Sequence, residues 1–141
     1  MVTEPYITTI WCDDIRMELG GKQSFMGVYA DVIFVPKFPI TLPKLCVFLK
    51  IVFPKESSAG GVSVKITNKE TVLIDVEMNN LPRIEEQESE MVVGSSITLN
   101  NVEFTEKTEL QVILTSADKQ ILSQPFQVLE PEPSEQQSPK P

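Results

Sequence analysis

Histidine is absent from the 141-residue chain, and with it the commonest general base and the commonest transition-metal ligand of proteins. The sequence also contains no G-x-S-x-G nucleophile motif, no C-x-x-C pair and no phosphate-binding P-loop. Two glycines occur in AGGVSV, but no Gly-Lys-Ser/Thr follows them, so this stretch is typical of a turn. We therefore expect no catalytic residue, no cofactor and no bound metal, and we predict that the protein is not an enzyme.

Basic residues are few and dispersed. The chain has 12 Lys and Arg against 20 Asp and Glu, which gives a net charge of −8. Affinity for nucleic acid comes mainly from basic side chains that displace counterions from the phosphates. Because no cluster of basic residues offsets the overall repulsion, we expect no nucleic-acid partner.

Long apolar runs are missing as well. The longest candidate, LCVFLKIVF, is short and is interrupted by Lys50, so we expect no membrane span. The first residues, MVTEPYITTIW, lack both the basic segment and the continuous apolar stretch of a secretory signal. The sequence therefore favours a cytoplasmic location without a membrane partner.

Cysteine occurs only twice, as Cys12 and Cys46. In a cytoplasmic protein these residues are typically reduced and buried. A disulfide of the immunoglobulin type is the less favoured alternative, since Trp11 precedes both cysteines and the Cys–Trp–Cys order is lost.

Short β-branched runs separated by Gly, Pro and Asn dominate what is present, and this pattern is typical of strands. About seven to nine such strands without intervening helices predict an all-β, antiparallel two-sheet sandwich. The last thirty or so residues resemble the terminal hairpin of immunoglobulin-like domains, so we expect an immunoglobulin-like sandwich over residues 1–129. The remaining EPEPSEQQSPKP, residues 130–141, has no apolar residue and is predicted to be disordered.

The same Gly, Pro and Asn residues mark where the predicted segments begin and end. A first hairpin turns at Gly20-Gly21, a proline-rich crossover leaves the sheet, and a strand buried on both faces or nearly so comes next. A second hairpin, a solvated glutamate-rich loop, a strand with a bulge at Asn100-Asn101 and a final hairpin with a bend or edge at Pro125 complete the chain. The first hairpin is predicted at residues 6–19 and 22–35, the crossover at 36–43 and the buried strand at 44–54. The second hairpin is predicted at 62–68 and 71–80, the glutamate-rich loop at 81–94 and the strand with the bulge at 95–105.

The first hairpin contains the most distinctive residues, IWCDDIRMELGGKQSFMGVY. A two-residue turn places Leu19 opposite Lys22 and gives one apolar face and one ionic face, with Arg16 between Asp14 and Glu18. In this register Asp13 points inward, where a lone carboxylate is costly. A bulge that turns both carboxylates outward, an Asp13 that accepts N–H groups from the crossover, and a ligand site remain open as alternatives.

Two candidate sites follow from that register. The outward face carries Arg16, Phe25 and Tyr29, a mixture of aromatic and charged side chains that suits contact with a protein partner. Alternatively, residues 36–43 or 83–94 cover this face. The polar cluster of Asp13, Asp14 and Lys22 is either structural or a site for a small ligand or Ca²⁺.

The run CDDIRMELGGKQSFMGVYADVIFVPKFPITLPKLCVF resembles the N-terminal half of a bacterial protein family of unknown function. A Cys-Asp-Asp-Ile-Arg strand, a Gly-Lys turn, a Gly-x-Tyr strand and a Leu-Pro segment recur in that family, and the resemblance extends from Trp11 to Pro54. It implies a small cytoplasmic domain of bacterial or phage origin. The positions carried over, without an assigned role, are Asp13, Asp14, Arg16, Lys22, Gly27 and Tyr29.

These observations favour a non-enzymatic β-sandwich that serves as a protein-interaction or structural module with an unknown protein partner. The alternative is a domain that binds a small ligand or Ca²⁺ at the acidic pair of the first hairpin.

Overall fold

Short strands occupy most of the chain in a computed structural model, which describes residues 4–54, 62–78, 83–86, 90–116 and 119–132. Eleven strands lie within these residues. Their bounds are β1 Tyr6–Met17, β2 Gln23–Val28, β3 Val32–Phe34, β4 Ile40–Pro54, β5 Val62–Asn68, β6 Thr71–Met78, β7 Arg83–Glu86, β8 Glu90–Phe104, β9 Thr108–Ser116, β10 Lys119–Leu122 and β11 Phe126–Leu129.

The strands form two sheets. The first has the order β2-β1-β4-β8-β7, and the second has the order β3-β11-β9-β5-β6, with β10 also paired to β9. All pairs are antiparallel except the parallel pair of β3 and β11. The predicted all-β, two-sheet sandwich is confirmed. The structure has more strands than predicted, since β3, β7 and β10 are too short to stand out in the sequence.

The core lies between the two sheets and follows the alternation of the strands. In β4 the residues Leu45, Val47 and Leu49 are buried in this core, opposite β5 and β9 of the other sheet. The intervening Cys46 and the later Val52 are buried as well, at 1% and 3% exposure. The prediction that residues 44–54 are buried on both faces or nearly so is therefore confirmed in its second form, since Lys44 and Lys50 are exposed on the outer face.

The predicted second strand, residues 22–35, is wrong as a single element. Strand β2 ends at Val28, and β3 starts at Val32 in the other sheet. Two backbone hydrogen bonds hold the crossing segment to β11, from Gln127 N–H to the Asp31 carbonyl and from Val35 N–H to the Leu129 carbonyl. Ile33 and Val35 of this segment are buried in the core. The chain therefore passes from the first sheet to the second before Pro36, where the sequence predicts the crossover to begin.

The predicted crossover at residues 36–43 is correspondingly too long. Strand β4 begins at Ile40, and the ladder with β8 includes Ile40–Phe104 and Leu42–Val102. Pro43 has no partner in that ladder, in keeping with its missing N–H. The predicted bulge near Asn101 is seen as a change of phase: Asn101 has a φ of +53°, and the core positions of β8 shift there from odd to even residue numbers.

The glutamate-rich segment 81–94 is not simply a loop. Residues Arg83–Glu86 form β7 at the edge of the first sheet, paired to the start of β8. Charged residues are common on edge strands, because they discourage pairing with another chain. The buried Val92 and Val93 give β8 its early start. Residues 79–82 and 87–89 lie outside the described residues, as do residues 55–61, which include the two glycines of the turn predicted in AGGVSV.

The second hairpin is confirmed as β5 and β6. The final hairpin is confirmed with a break, since β10 and β11 pair with β9 in succession and the chain bends at Ser123–Pro125. Beyond β11, the Phe38 N–H donates to the Glu130 carboxylate, and residues 133–141 of the predicted tail lie outside the described part of the chain. Within the described residues, no helix has the length and apolar character needed to cross a membrane.

Candidate functional site

The first hairpin turns through three residues rather than two. Leu19–Gly21 form a short 3-10 turn, closed by a hydrogen bond of 2.7 Å from the Glu18 N–H to the Lys22 carbonyl. Gly20 and Gly21 have φ angles of +82° and +75°, which glycine adopts without strain. Because Leu19 belongs to the turn, the ladder is offset by one position from the predicted one.

That offset changes which side chains share a face. Arg16 lies opposite Ser24 and Ile15 lies opposite Phe25, so Arg16 and Phe25 point to opposite faces of the hairpin. The Phe25 ring packs on Phe48 of β4, with ring centroids 5.3 Å apart. Since Phe48 alternates with core residues, this contact joins the hairpin to the outer surface of the first sheet.

Tyr29 has a different environment from the other two residues of the predicted contact face. Its ring packs on Phe126 of β11 with centroids 5.8 Å apart, and its N–H donates to the Trp11 carbonyl. The structure therefore does not bring Arg16, Phe25 and Tyr29 together on one surface. A role of any single one of them in partner binding stays a prediction.

Asp13 is exposed rather than inward as predicted, and it contacts Gly27 and Tyr29. The ladder passes from Cys12–Val28 to Asp14–Met26 and omits Asp13 and Gly27. Gly27 has a φ of +66°, and the Tyr29 hydroxyl donates to Oδ1 of Asp13. Of the three alternatives for Asp13, this arrangement is closest to the first, the bulge, because the backbone is irregular at Asp13 and Gly27 and the carboxylate lies outside the core.

The hydrogen bond between Tyr29 and Asp13 lies beside apolar rings. Burial, followed by the hydrogen bond to Asp13 and the charge of that carboxylate, raises the pKa of Tyr29 to about 12. The phenol therefore stays protonated and remains a donor throughout the physiological pH range. Trp11 stacks on the same Phe126 ring at 4.7 Å, so the base of the hairpin is anchored between the two sheets.

Asp14 is paired with two basic side chains. Lys44 Nζ lies 2.7 Å from its Oδ1, and Arg16 Nε lies 3.6 Å from its Oδ2. The Ile15 N–H donates to the same carboxylate at 3.0 Å. The hydrogen bond from Lys44 is the largest of the influences that lower the pKa of Asp14, and the same bond raises the pKa of Lys44. Asp14 is thus an ionised, hydrogen-bonded carboxylate that ties β1 to β4.

The third member of the predicted polar cluster is not near the acidic pair. Lys22 lies at the turn, where its carbonyl accepts the Glu18 N–H, whereas Asp14 lies opposite Met26. Among the residues that the structure describes, no group of three or more Cys, Asp or Glu side chains is placed to hold a metal ion. The side chains of the Glu85–Glu90 run are outside that description. The geometry therefore gives no support to a Ca²⁺ site at Asp13 and Asp14.

The two cysteines lie directly opposite each other on β1 and β4. Both are free and buried, as predicted, at 0% and 1% exposure. The Cys12 thiol donates to the Asp14 carbonyl at 3.4 Å, and the Cys46 thiol donates to the Asp13 carbonyl at 3.8 Å. Burial is the main cause that raises the pKa of Cys12, and the neighbouring Cys46 adds to it.

Strand β2 forms the free edge of the first sheet in the described part of the chain. Its sequence, QSFMGV, contains neither a charge nor a proline, and Met26 and Val28 are 42% and 58% exposed. The other edges differ: β6, β7 and β10 contain charged residues, and β3 has only three residues. Next to β2, Leu19 at the turn is 93% exposed and Met17 is 70% exposed.

A comparison with protein-family models matches residues 7–129 to a model described as a family of unknown function, DUF6941. The chain belongs to this family. The DUF6941 match starts in β1 and ends with β11, so it covers both sheets and not only the N-terminal half in which the sequence resemblance was found. Comparisons with curated proteins and with solved structures found no significant match.

The free edge of this DUF6941 sandwich is not among the candidate sites predicted from the sequence, although the sequence contains a signal for it. Residues 23–28 are the longest uncharged, proline-free edge segment among the strands described, and this can be read from the sequence once the edges are known. A cleft of about 370 Å³ on the second sheet was also not foreseen. Its lining comes from β5, β9, β11 and the turns beside them and includes Thr67, Lys69, Lys107, Gln111, Gln127 and Leu129.

Proposed function

We propose that this chain is a non-enzymatic protein-interaction module that binds its partner along the hairpin edge. By hairpin edge we mean the free side of β2, Gln23–Val28, together with the exposed side chains of Met17 and Leu19 beside it. The observation that carries this proposal is the absence of charge and proline from an edge strand that exposes Met26 and Val28.

An edge strand presents backbone groups that are ready to pair. Along an antiparallel ladder, every second residue of β2 directs its N–H and C=O away from β1. Proteins usually guard such an edge with charged residues or proline, and β6, β7 and β10 follow this rule. We infer that β2 is left unguarded because an extended segment of a partner adds to the sheet there.

The side chains around β2 suit such a contact. Met17, Leu19, Met26 and Val28 are all exposed, and they offer flexible and branched apolar groups on either side of the strand. Methionine adapts to partners of different shape because its unbranched side chain repacks readily. The partner segment is therefore expected to be extended and partly apolar, and the net charge of −8 favours a segment without acidic residues.

The acidic pair supports a non-enzymatic role. Asp13 accepts the Tyr29 hydroxyl, and Asp14 is held by Lys44 and Arg16, so both carboxylates already have partners within the fold. Their contacts instead fix the base of the hairpin relative to β4 and β11. This stiffness keeps the hairpin edge in place before a partner binds, which lowers the entropic cost of association.

The test is quantitative affinity capture from the native host lysate with matched charge variants. The double variant Met26→Lys/Val28→Lys puts two charges on the hairpin edge, and Val72→Lys/Leu122→Lys puts two charges on β6 and β10. The control sites have closely similar exposure, 48% and 56% against 42% and 58%.

We expect a protein captured by the wild type to be lost with the hairpin-edge variant and retained with the control. Both variants must show the wild-type melting transition. Equal capture by the wild type and both variants would refute the proposal.

A further inference from the structure

The chain contains two cysteines, and the fold makes them nearest neighbours across two strands. Cys12 and Cys46 are directly opposed in the β1–β4 ladder, although the whole second strand lies between them in the sequence. Directly opposed residues of an antiparallel pair have Cα atoms about 4.5–5.5 Å apart. That separation falls within the range of about 4.4–6.8 Å that a disulfide spans.

Both sulfur atoms contact backbone carbonyl groups of the same short segment of β1. The Cys12 thiol contacts the Asp14 carbonyl at 3.4 Å, and the Cys46 thiol contacts the carbonyl of the adjacent Asp13 at 3.8 Å. Consecutive carbonyl groups of one irregular backbone segment thus hold the two thiols on the same side of the sheet. Cys46 Sγ also lies 3.5 Å from the Thr98 hydroxyl of β8.

The position of the pair in the ladder allows the small adjustment that a bond needs. Cβ atoms of opposed residues are usually about 4.5–5.5 Å apart, and a disulfide requires about 3.5–4.5 Å. Cys12–Cys46 is the last pair of the β1–β4 ladder, since β1 continues into the hairpin beyond it. Beyond this rung β1 and β4 are joined through the Asp14–Lys44 ion pair rather than through backbone pairing, and a peroxide reaches the buried sulfur atoms through local openings of the fold.

We propose that Cys12 and Cys46 form a cross-strand disulfide when the chain meets a peroxide. One thiol, as its thiolate, attacks a peroxide oxygen, and the S–O bond of a sulfenic acid forms while the O–O bond breaks. The departing hydroxide takes up the proton that the thiol released and leaves as one water. The second thiol displaces the sulfenic oxygen as the other water and forms the S–S bond. Two thiols and one hydrogen peroxide thus give one disulfide and two waters.

The bond has two consequences for the first hairpin. It removes the S–H donors from the carbonyls of Asp13 and Asp14, and it ties β1 covalently to β4 below the hairpin. It also closes the chain between residues 12 and 46, which reduces the conformational freedom of the unfolded state. For a loop of this length in a domain of this size, the melting temperature is expected to rise by roughly 5–15 °C. This inference does not depend on the proposed partner surface.

The experiment treats the folded, full-length wild type with hydrogen peroxide and measures the intact mass without reductant. We expect the loss of two hydrogens, a tryptic crosslink that joins the Cys12 and Cys46 peptides, and the stated rise in melting temperature. Dithiothreitol should reverse all three. The variants Cys12→Ser and Cys46→Ser, treated in the same way, should show neither the mass loss nor the rise.

The crosslinked peptides of the wild type show by themselves whether the disulfide forms, so a variant that folds poorly does not obscure the result. Addition of oxygen to either sulfur without a crosslink, two thiols that remain titratable after treatment, or a disulfide between two chains would each overturn the inference.

Discussion

The carboxylate of Asp13 occupies the space where Gly27 lacks a side chain. A β-carbon on Gly27 would overlap Oδ2 of Asp13, far inside van der Waals contact. The same carboxylate accepts the Tyr29 hydroxyl. Gly27 and Tyr29, which the family resemblance carries over without an assigned role, thus have a common structural explanation in Asp13.

Gly27→Ala is predicted to destabilise the fold more than a glycine substitution at the turn. Gly20 also has a positive φ, but a β-carbon there meets no atom within 4 Å. Gly20→Ala therefore measures the backbone strain alone, about 1–2 kcal/mol. Gly27→Ala adds the clash with Asp13 and should cost about 2–4 kcal/mol. Denaturant unfolding of the two variants gives the comparison.

The excess cost at Gly27 should depend on Asp13. In an Asp13→Ala background, the cost of Gly27→Ala should fall toward that of Gly20→Ala, because the clashing carboxylate is gone and only the Asp13 β-carbon remains close, at 3.1 Å. If Gly27→Ala costs the same with and without the Asp13 carboxylate, the contact has no energetic role.

Tyr29 is predicted to make the stability fall at alkaline pH. Its pKa of about 12 lies above the ordinary value of 10, mainly because the phenol is buried. A raised pKa in the folded state means that the stabilisation is complete below pH 10 and is lost as the pH rises toward 12. Phenolate absorbance in a Tyr6→Phe variant, which leaves Tyr29 as the only tyrosine, should show the late titration. Titration at the ordinary value would contradict the burial of this hydroxyl.

Lys44 is predicted to control the ionisation of Asp14. Its hydrogen bond is the largest of the influences that lower the pKa of that carboxyl. Lys44→Met should therefore raise the pKa of Asp14, as measured by carboxyl NMR titration, and Lys50→Met on the same strand should leave it unchanged. Because the pair is exposed, the stability lost on acidification through the pKa of Asp14 should be small and sensitive to salt. An Asp14 titration that is indifferent to both substitutions would argue against the pairing.

Phe126 is predicted to be a main contact between the two sheets. It stacks on Trp11 of the opposite sheet and touches Tyr29. Phe126→Ala should cost about 3–5 kcal/mol, whereas Phe34→Ala on the neighbouring strand should change stability by less than about 1 kcal/mol. Phe34 is a suitable control because 54% of its surface is exposed. Fluorescence of Trp11, the single tryptophan, follows unfolding in both variants. Similar losses in the two variants would contradict the packing described.

The sequence predicts the class of fold well because burial leaves a clear pattern. The run from Lys44 to Pro54 is apolar except for its two lysines, and it becomes part of β4, the central strand of the first sheet. The short β-branched segments that follow become β5, β6 and β9. These features depend on local hydrophobic periodicity, which a single sequence contains.

Pairing between strands was harder to predict, because it depends on single dihedral angles and distant partners. Leu19 joins the turn and moves the first ladder by one position, and composition does not distinguish a two-residue from a three-residue turn here. The early change of sheet before β3 depends on β11, which comes almost at the end of the chain. The polar contacts of Asp13 and Asp14 could not be foreseen until the strands on both sides were in register.

Hydrogen exchange at single amides of β2 tests the proposed hairpin edge most directly. In the free chain, the amides of Gln23–Val28 that point away from β1 should exchange quickly, since they pair with none of the strands that the structure describes. In the presence of a captured partner, these amides should become protected while the edge amides of β6 stay as they were. Protection that appears at β6 or β3 instead, with β2 unchanged, would contradict the assignment of the hairpin edge as the contact surface.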